Sequence, residues 1–316
     1  MSDNKYAKIR KTITGKMRCN MKLAVIGGGS IGLLTSASLI KQGHEVQLVT
    51  RTEEQAALIN SKGLLLEKED REEIVPVFAC SFENGKYLDN ELWINTIKQT
   101  QLPLFFEKFK HVKKIPPLLL LQNGMGHMEQ AEALLSSSLY AGIVTHGAMR
   151  LNEYSVRHTG EGEIYVSGWN TEVDVLTPLI NKTSHFPIMR TDNIIDMMKR
   201  KLLVNLVVNP LTALYGVRNG ELLKDVWEGN LKALFHEGKD VLELGDEEWE
   251  RVVNVIKQTA NNESSMFRDI QLGKYTEIDA ITGFVLRQAE EKGIKLPLTS
   301  FIHQSILGLE GRDKAE

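Results

Sequence analysis

Three polar side chains recur at every fourth position of an otherwise aliphatic stretch. Lys201, Asn205 and Asn209 interrupt Lys201-Leu202-Leu203-Val204-Asn205-Leu206-Val207-Val208-Asn209-Pro210. On a helix each step of four residues turns about 40° past a full circle, so the three share one slowly drifting stripe. A helix that is apolar almost all round is buried, and buried polar groups are costly without partners. An ammonium and two carboxamides on one face therefore suit a common partner, such as a substrate with carboxylate, carbonyl and hydroxyl oxygens. A plainer arrangement is open to the same residues: the asparagines bond between helices, and Lys201 reaches solvent along its stem. Lys199 and Arg200 read as surface charges. Pro210 lacks an N–H and is expected to end or kink the helix near Asn209.

A second constellation is made of glycines. Gly27-Gly28-Gly29-Ser30-Ile31-Gly32 fits G-x-G-x-x-G, with Gly27, Gly29 and Gly32 at the marked places. Gly27 permits a tight turn, Gly29 lets a pyrophosphate approach the backbone, and Gly32 lets a helix lie close on a strand. The free N–H groups of that helix's first turn favour an anion. The apolar run Lys22 to Ile26 precedes the turn and a helical pattern, Ile31 to Lys41, follows it, which is the context the motif needs. Glu45 to Thr50 reads as the next strand. Arg51 follows at the place where an NAD site carries an acid. A guanidinium there grips the 2′-phosphate of NADP; Glu53 or Glu54 remains available for a ribose hydroxyl.

Other candidates stand farther along. Ser264-Ser265-Met266 closes a helical pattern, and Glu277 opens another, where Ile278, Ile281 and Val285 recur at helical spacing. By position alone Glu277 suits a helix dipole. His146 could act as a general acid, but a hydrogen-bonded histidine on a core strand fits its surroundings better.

The elements that must position these groups fall into two sets. Leu64 to Leu66 and Ile74 to Val77 read as short strands around a charged connection, Glu67 to Glu73. Leu92 to Ile97, Leu118 to Leu121 and Tyr140 to Met149 read as further strands, with Glu163 to Val166 pairing at the sheet edge. Strands with helices between them predict an α/β domain with a mainly parallel sheet. From about Asp192 only helical periodicity remains, over Lys199 to Asn209, Leu231 to Leu244, Glu247 to Ser265, Glu277 to Lys292 and Leu298 to Leu309. The expected division is a basic extension over 1–20, a dinucleotide-binding Rossmann domain over 21–188 and an all-helical domain over 189–316.

Composition narrows the function classes. The chain has 316 residues, 42% hydrophobic and 25% charged, and a net charge of -3, which points to neither nucleic acid nor an acidic membrane. No apolar run approaches the ~20 residues of a spanning helix. Two cysteines, Cys19 and Cys80, rule out a disulfide framework and suit a reducing cytoplasm. Residues 1–20 hold six basic side chains against Asp3 and lack the apolar core of a signal peptide. No cluster suggests a metal.

Taken together, Gly27 to Gly32, Gln122-Asn123-Gly124-Met125-Gly126, Lys201 through Asn209-Pro210-Leu211-Thr212-Ala213, Asn219-Gly220, Ser264-Ser265-Met266 and Thr276-Glu277-Ile278-Asp279 resemble the motif series of the ketopantoate reductases, in order and spacing, over residues 21 to 309. The resemblance implies a Rossmann domain joined to a helical domain, with the active site in the cleft between them. It implies reduction of 2-dehydropantoate to (R)-pantoate by hydride from NADPH, a step of pantothenate and coenzyme A biosynthesis. It implies Lys201 as the catalytic lysine and Glu277 as an acid near substrate and nicotinamide. Asn123, Asn205, Asn209, Asn219 and Ser265 then contact substrate. Gly27, Gly28, Gly29, Ser30, Ile31, Gly32, Arg51, Lys98, Asn123 and Ala148 contact the cofactor. Gln99-Thr100-Gln101, after Lys98, departs from the family pattern, as does the basic extension. A reductase of another 2-ketoacid, or an NADPH sensor without turnover, would share the fold; a sensor has no need of Lys201, the asparagines or Glu277. The expected partner is a small 2-ketoacid, and a homodimer is left open.

Overall fold

The computed structural model describes residues 20–69, 71–84 and 89–311, so all but the last residue of the extension, Cys19 included, lies outside the described residues. Strand β1 (Lys22–Ile26), helix α1 (Ser30–Lys41) and strand β2 (Glu45–Thr50) form where the apolar runs and glycines indicate. Helix α2 (Glu53–Lys62) follows, capped by Thr52, whose hydroxyl accepts from the Gln55 N–H at 3.3 Å. Next come β3 (Leu64–Lys68), β4 (Arg71–Val75), β5 (Phe78–Ser81), β6 (Leu92–Asn95), α3 (Leu102–Phe109), β7 (Leu118–Leu120) and α4 (His127–Leu134). Five strands complete this half: β8 (Leu139–Val144), β9 (Gly147–Arg150), β10 (Ser155–Gly160), β11 (Ile164–Gly168) and β12 (Ile188–Arg190).

Eight strands form one sheet in the order β12-β11-β8-β7-β6-β1-β2-β5. From β8 to β5 all neighbours are parallel, whereas β11 runs antiparallel to β8. The chain builds outward from β1 through β2 to β5, then returns to β6 on the other side and builds through β7 to β8. The order therefore reverses between β1 and β6, and ligands of such sheets bind outside the strand ends at that point. Gly27 follows β1 there, and Lys98 and Gln99 follow β6.

Several expectations needed correction. Tyr140 to Met149 is not one strand. It breaks at Thr145-His146, and the chain passes from the large sheet into a second one, ordered β4-β3-β10-β9. The charged stretch Glu67 to Glu73 is not a simple connection either, because β3 and β4 extend into it and pair Glu67 with Glu72 and Lys68 with Arg71. The edge of the large sheet is β12, parallel to β11, so the Glu163 to Val166 region lies one strand inside it. That last strand straddles the expected division at 188/189, and the first helix of the second half begins at Ile194. Helix α1 lies between the two sheets, which is why Gly32 through Leu39 are buried on every side.

The second half is helical: α5 (Ile194–Tyr215), α6 (Asp225–Leu242), α7 (Glu248–Gln258), α8 (Ser265–Gln271), a π-helical turn (Asp279–Gly283), α9 (Phe284–Glu291) and α10 (Pro297–Leu309). Helix α5 runs through Pro210 rather than stopping at Asn209. Inside the interrupted turn, the Thr212 hydroxyl lies 2.9 Å from both the Val208 and Asn209 carbonyls. Ser264-Ser265 begins α8 instead of ending α7: Ser264 accepts from the Phe267 N–H at 3.0 Å, a serine N-cap. Arg200 is no free surface charge; it bonds the buried carboxylate of Glu248, which Arg251 also binds.

Alternation along the sheet strands splits the apolar residues between two cores. Leu23, Val25, Leu48, Leu92 and Ile94 pack with α1 and α2 on one face. Ala24, Ile26, Trp93, Leu118 and Leu120 face the other way, onto α3, α4 and the buried side of α5, including Leu202 and Leu206. Trp93 and Phe109 meet edge to face with centroids 5.0 Å apart.

Candidate active site

The phosphate turn has the geometry that its glycines predict. Gly27 takes φ +119 and donates its N–H to the Val49 carbonyl at 2.8 Å, which ties the turn to the end of β2. A Cβ on Gly32 would lie 1.8 Å from the Gly27 carbonyl oxygen, so helix and strand can approach this closely only with glycine there. Gly29 differs: a Cβ added to it meets nothing within 4 Å. Open space thus lies before the N-terminus of α1, whose cap residue, Gly29, has no side chain to occupy the free N–H groups of Ser30, Ile31 and Gly32. A pyrophosphate fits that cradle. Gly28 is crowded by the Gln55 amide, which donates to the Gly28 carbonyl at 2.9 Å. Arg51 is exposed just past the end of β2. Ala148 lies on β9 in the second sheet, its backbone paired with His158.

The loops after β6 and β7 meet the helical half at Glu277. The Gln99 N–H donates to Glu277 Oε1 at 3.1 Å, and Asn123 Nδ2 donates to Oε2 at 3.3 Å. With its nitrogen turned to the carboxylate, Asn123 keeps its carbonyl oxygen as an acceptor. The glycines beside it are needed for close approach. Gly124 has φ +80, and a Cβ there would lie 2.5 Å from the Ala280 carbonyl oxygen of the π-helical turn. Gln122 holds the loop from behind, donating to the Asn95 side-chain oxygen at 2.8 Å and the Ile97 carbonyl at 3.0 Å. Lys98 crosses the cleft as well, with its ammonium 2.8 and 2.7 Å from the two oxygens of Asp269 on α8. In this arrangement its partner is a carboxylate of the other half.

Lys201 is half-buried on α5, and its Nζ donates to the Val144 carbonyl at the end of β8, at 2.6 Å. Desolvation lowers its pKa to about 8, against an opposing pull from the Glu277 charge. The Glu277 carboxylate, on the same helical half, thus lies near enough to act on the ammonium. Among the described residues, neither the Asn205 nor the Asn209 side chain has a hydrogen-bond partner, although both are half-buried. The helix-to-helix bonding that the sequence also allowed is not made. Asn219 is buried; its Nδ2 donates to Thr259 at 2.9 Å, and its Oδ1 has no partner. Ser265 is exposed at the start of α8, which Ser264 ties to α5 through a 2.7 Å contact with Thr212.

His146 lies elsewhere. It is buried, stacked on Phe186 at 4.3 Å, and its Nδ1 accepts from the Gly162 N–H at 3.1 Å. Burial lowers its pKa to about 4, so it is neutral at pH 7 and belongs to the core. Two participants escaped the sequence reading. The Val144 carbonyl holds Lys201, and a backbone acceptor leaves no mark in sequence. Asp269, the partner of Lys98, stands on α8 one helical turn after Ser265, where only its charge singled it out.

Comparison with known proteins places this arrangement. Residues 23–171 match the family described as ketopantoate reductase PanE/ApbA, and residues 193–310 match its C-terminal domain. The 2-dehydropantoate 2-reductase of Bacillus subtilis is 40% identical, across 92% of this chain and 98% of its own. The crystal structure of panE from Bacillus subtilis superposes with a TM-score of 0.81 at 38% identity, covering 92% of this chain and 100% of that one. The ternary structure of D-mandelate dehydrogenase with NADH and anilino(oxo)acetate shares the fold, with a TM-score of 0.80 at 23% identity, across 92% of this chain and 99% of that one.

Proposed function

Because the chain belongs to the ketopantoate reductase family, we propose that it reduces 2-dehydropantoate to (R)-pantoate with NADPH, with Lys201 as general acid. One observation carries this reading: the helical half sets the Lys201 ammonium of α5 within electrostatic reach of Glu277, beside Asn205 and Asn209, whose side chains have no hydrogen-bond partner among the described residues. NADPH, when bound, supplies the hydride. The Gly27–Gly32 turn and the N-terminus of α1 would hold its pyrophosphate, and Arg51 its 2′-phosphate. Lys98, Asn123 and Ala148 would line the rest of its path.

The other steps belong to side chains. As the ketone is reduced, negative charge grows on its oxygen. The Lys201 ammonium stabilises that charge and then gives up its proton. A pKa of about 8 leaves the group mostly cationic at neutral pH while making it a better acid than a free lysine at ~10.4. The Val144 carbonyl, a neutral acceptor too weakly basic to take the proton, aims the ammonium without neutralising its charge. The amides of Asn205 and Asn209 suit the carboxylate and hydroxyl of a 2-ketoacid, with Ser265 at the mouth, while the buried, unpartnered Oδ1 of Asn219 can only accept, as from a hydroxyl. Glu277 orients a substrate hydroxyl through the lone pairs that Gln99 and Asn123 leave on its two oxygens.

No helix among the described residues is long and apolar enough to cross a membrane. A cytoplasmic reaction suits a nicotinamide-dependent biosynthetic step, and self-association into a homodimer is a matter for sedimentation. The function is tested by following NADPH oxidation with a panel of 2-ketoacids. Preference for 2-dehydropantoate is expected; a clear preference for another ketoacid, or no turnover with any, overturns the reading.

A further inference from the structure

The segment that departs from the family pattern sits at the centre of the site. Gln99 is the first residue after Lys98, and it makes three contacts with its surroundings. Its N–H binds Glu277 Oε1; its side-chain Nε2 lies 2.7 Å from the Asn123 carbonyl and 2.8 Å from His127 Nδ1. The amide orientation follows from its partners. A carbonyl oxygen can only accept, so the atom facing Asn123 must be the nitrogen. The second hydrogen of that nitrogen then points to His127, whose Nδ1 must present a lone pair. His127 is 2% exposed at the start of α4, and burial alone lowers its pKa to about 4. Its ring is therefore neutral with the proton on Nε2, the one tautomer that can receive Gln99.

We propose that Gln99 is a positioning residue of this reductase: it fixes Asn123 and Glu277 as one unit, with its amide turned by the Asn123 carbonyl and its second hydrogen received by His127. The inference rests on Asn123 and Glu277 being site residues, as set out above. Main chain and side chain act on different partners. The N–H holds a carboxylate oxygen of Glu277, while the amide holds the backbone of the residue that grips the other oxygen. Both ends of the Glu277 carboxylate thus trace back to one residue: Oε1 to the Gln99 main chain, and Oε2, through Asn123, to the Gln99 side chain that the buried His127 imidazole also receives. A small apolar residue at position 99 would keep the first bond and lose the second, leaving the Asn123 carbonyl and His127 Nδ1 without their donor.

Two variants test this. Gln99→Met keeps length and removes the donor. It is expected to lower kcat/KM for the ketoacid by about tenfold, the upper range for a lost neutral hydrogen bond. Binding of 2′,5′-ADP, which needs only the phosphate turn and Arg51, is expected to stay within twofold. Gln99→Glu replaces the donor with an acceptor facing a carbonyl and an imidazole lone pair. A proton must then enter between them, so the His127 pKa, read by NMR of its ring nitrogens, is expected to rise by two units or more. An unchanged His127 titration in Gln99→Glu, or unchanged kcat/KM in a folded Gln99→Met, overturns the proposal. The NMR measurement needs no turnover. Absence of ketoacid reduction by the unaltered protein would therefore sink the proposed function while leaving the Gln99–His127 coupling to be judged separately.

Discussion

The two walls of the cleft are built on different principles. On the Rossmann side, backbone presents most of the chemistry: an uncapped helix end and a turn whose glycines exclude side chains. On the helical side, α5 presents side chains, an ammonium and two carboxamides on a rigid scaffold. Binding a phosphate through backbone asks for residues that are absent. Protonating an oxyanion asks for one residue at one place. The first wall should therefore tolerate substitution only where space is open, and the second should fail in graded ways according to what each side chain contributes.

The sharpest test of this contrast is Lys201→Ala. It is expected to lower kcat by ~10²–10⁴, the scale for losing a general acid or oxyanion donor, while NADPH still binds. Single-turnover hydride transfer with saturating 2-dehydropantoate is the measurement, and a wild-type rate removes Lys201 from the mechanism. On the backbone wall, Arg51→Ala is expected to cost NADPH binding roughly 1.5–3 kcal/mol, the range for a bond to a charged group, and to leave NADH binding nearly unchanged. Equal losses in calorimetry would move the phosphate reader elsewhere. Gly29→Ala separates space from fold. Its Cβ meets nothing in the protein, so the melting temperature without ligand should hold while NADPH affinity falls about tenfold. A drop in that melting temperature would show that Gly29 serves folding instead. Asn205→Ala should raise KM more than it lowers kcat, if it binds ground and transition states alike.

The mildest test is pH. The protonated form of Lys201 is the acid, and its pKa lies at about 8. The rate of ketoacid reduction should therefore hold below that value and decline as pH rises through it. In Glu277→Gln the supporting charge is gone, so the decline should begin at lower pH. A limb that stays in place would show that the two groups do not interact during turnover.

The two walls also differed in how far sequence revealed them. The glycine turn was legible because Gly27 takes a positive φ and Gly32 has no room for a Cβ, and β1, α1 and β2 follow from it. The stripe on α5 was legible as one face of a helix, because a period of four among aliphatic residues keeps to one side; what that face meets was left with two readings. What remained hidden was set by distant contacts. Nothing within Tyr140 to Met149 announces that Thr145-His146 carries the chain between sheets, since both pieces are apolar and strand-like. Pro210 obeys local rules in isolation; packing on both sides keeps its helix intact. Ser264 reads equally as an end or a beginning until the Phe267 N–H is seen bonded to it. Gln99 was visible only as an irregularity, because its partners lie 24, 28 and 178 residues away.

One feature of the packing reaches beyond catalysis. The apolar layer on one face of the sheet, from Ile26 and Trp93, passes without a break into Leu202, Leu206 and Phe235 of the helical half. The two halves share a single oil-filled seam, so neither can melt without wetting the other. Calorimetry should register one endotherm for the described body of the protein, and limited proteolysis should not release a stable nucleotide-binding fragment. Under such a constraint, a substitution deep in α6 can weaken cofactor binding with no path of contacts to the phosphate turn, simply by lowering the shared melting point.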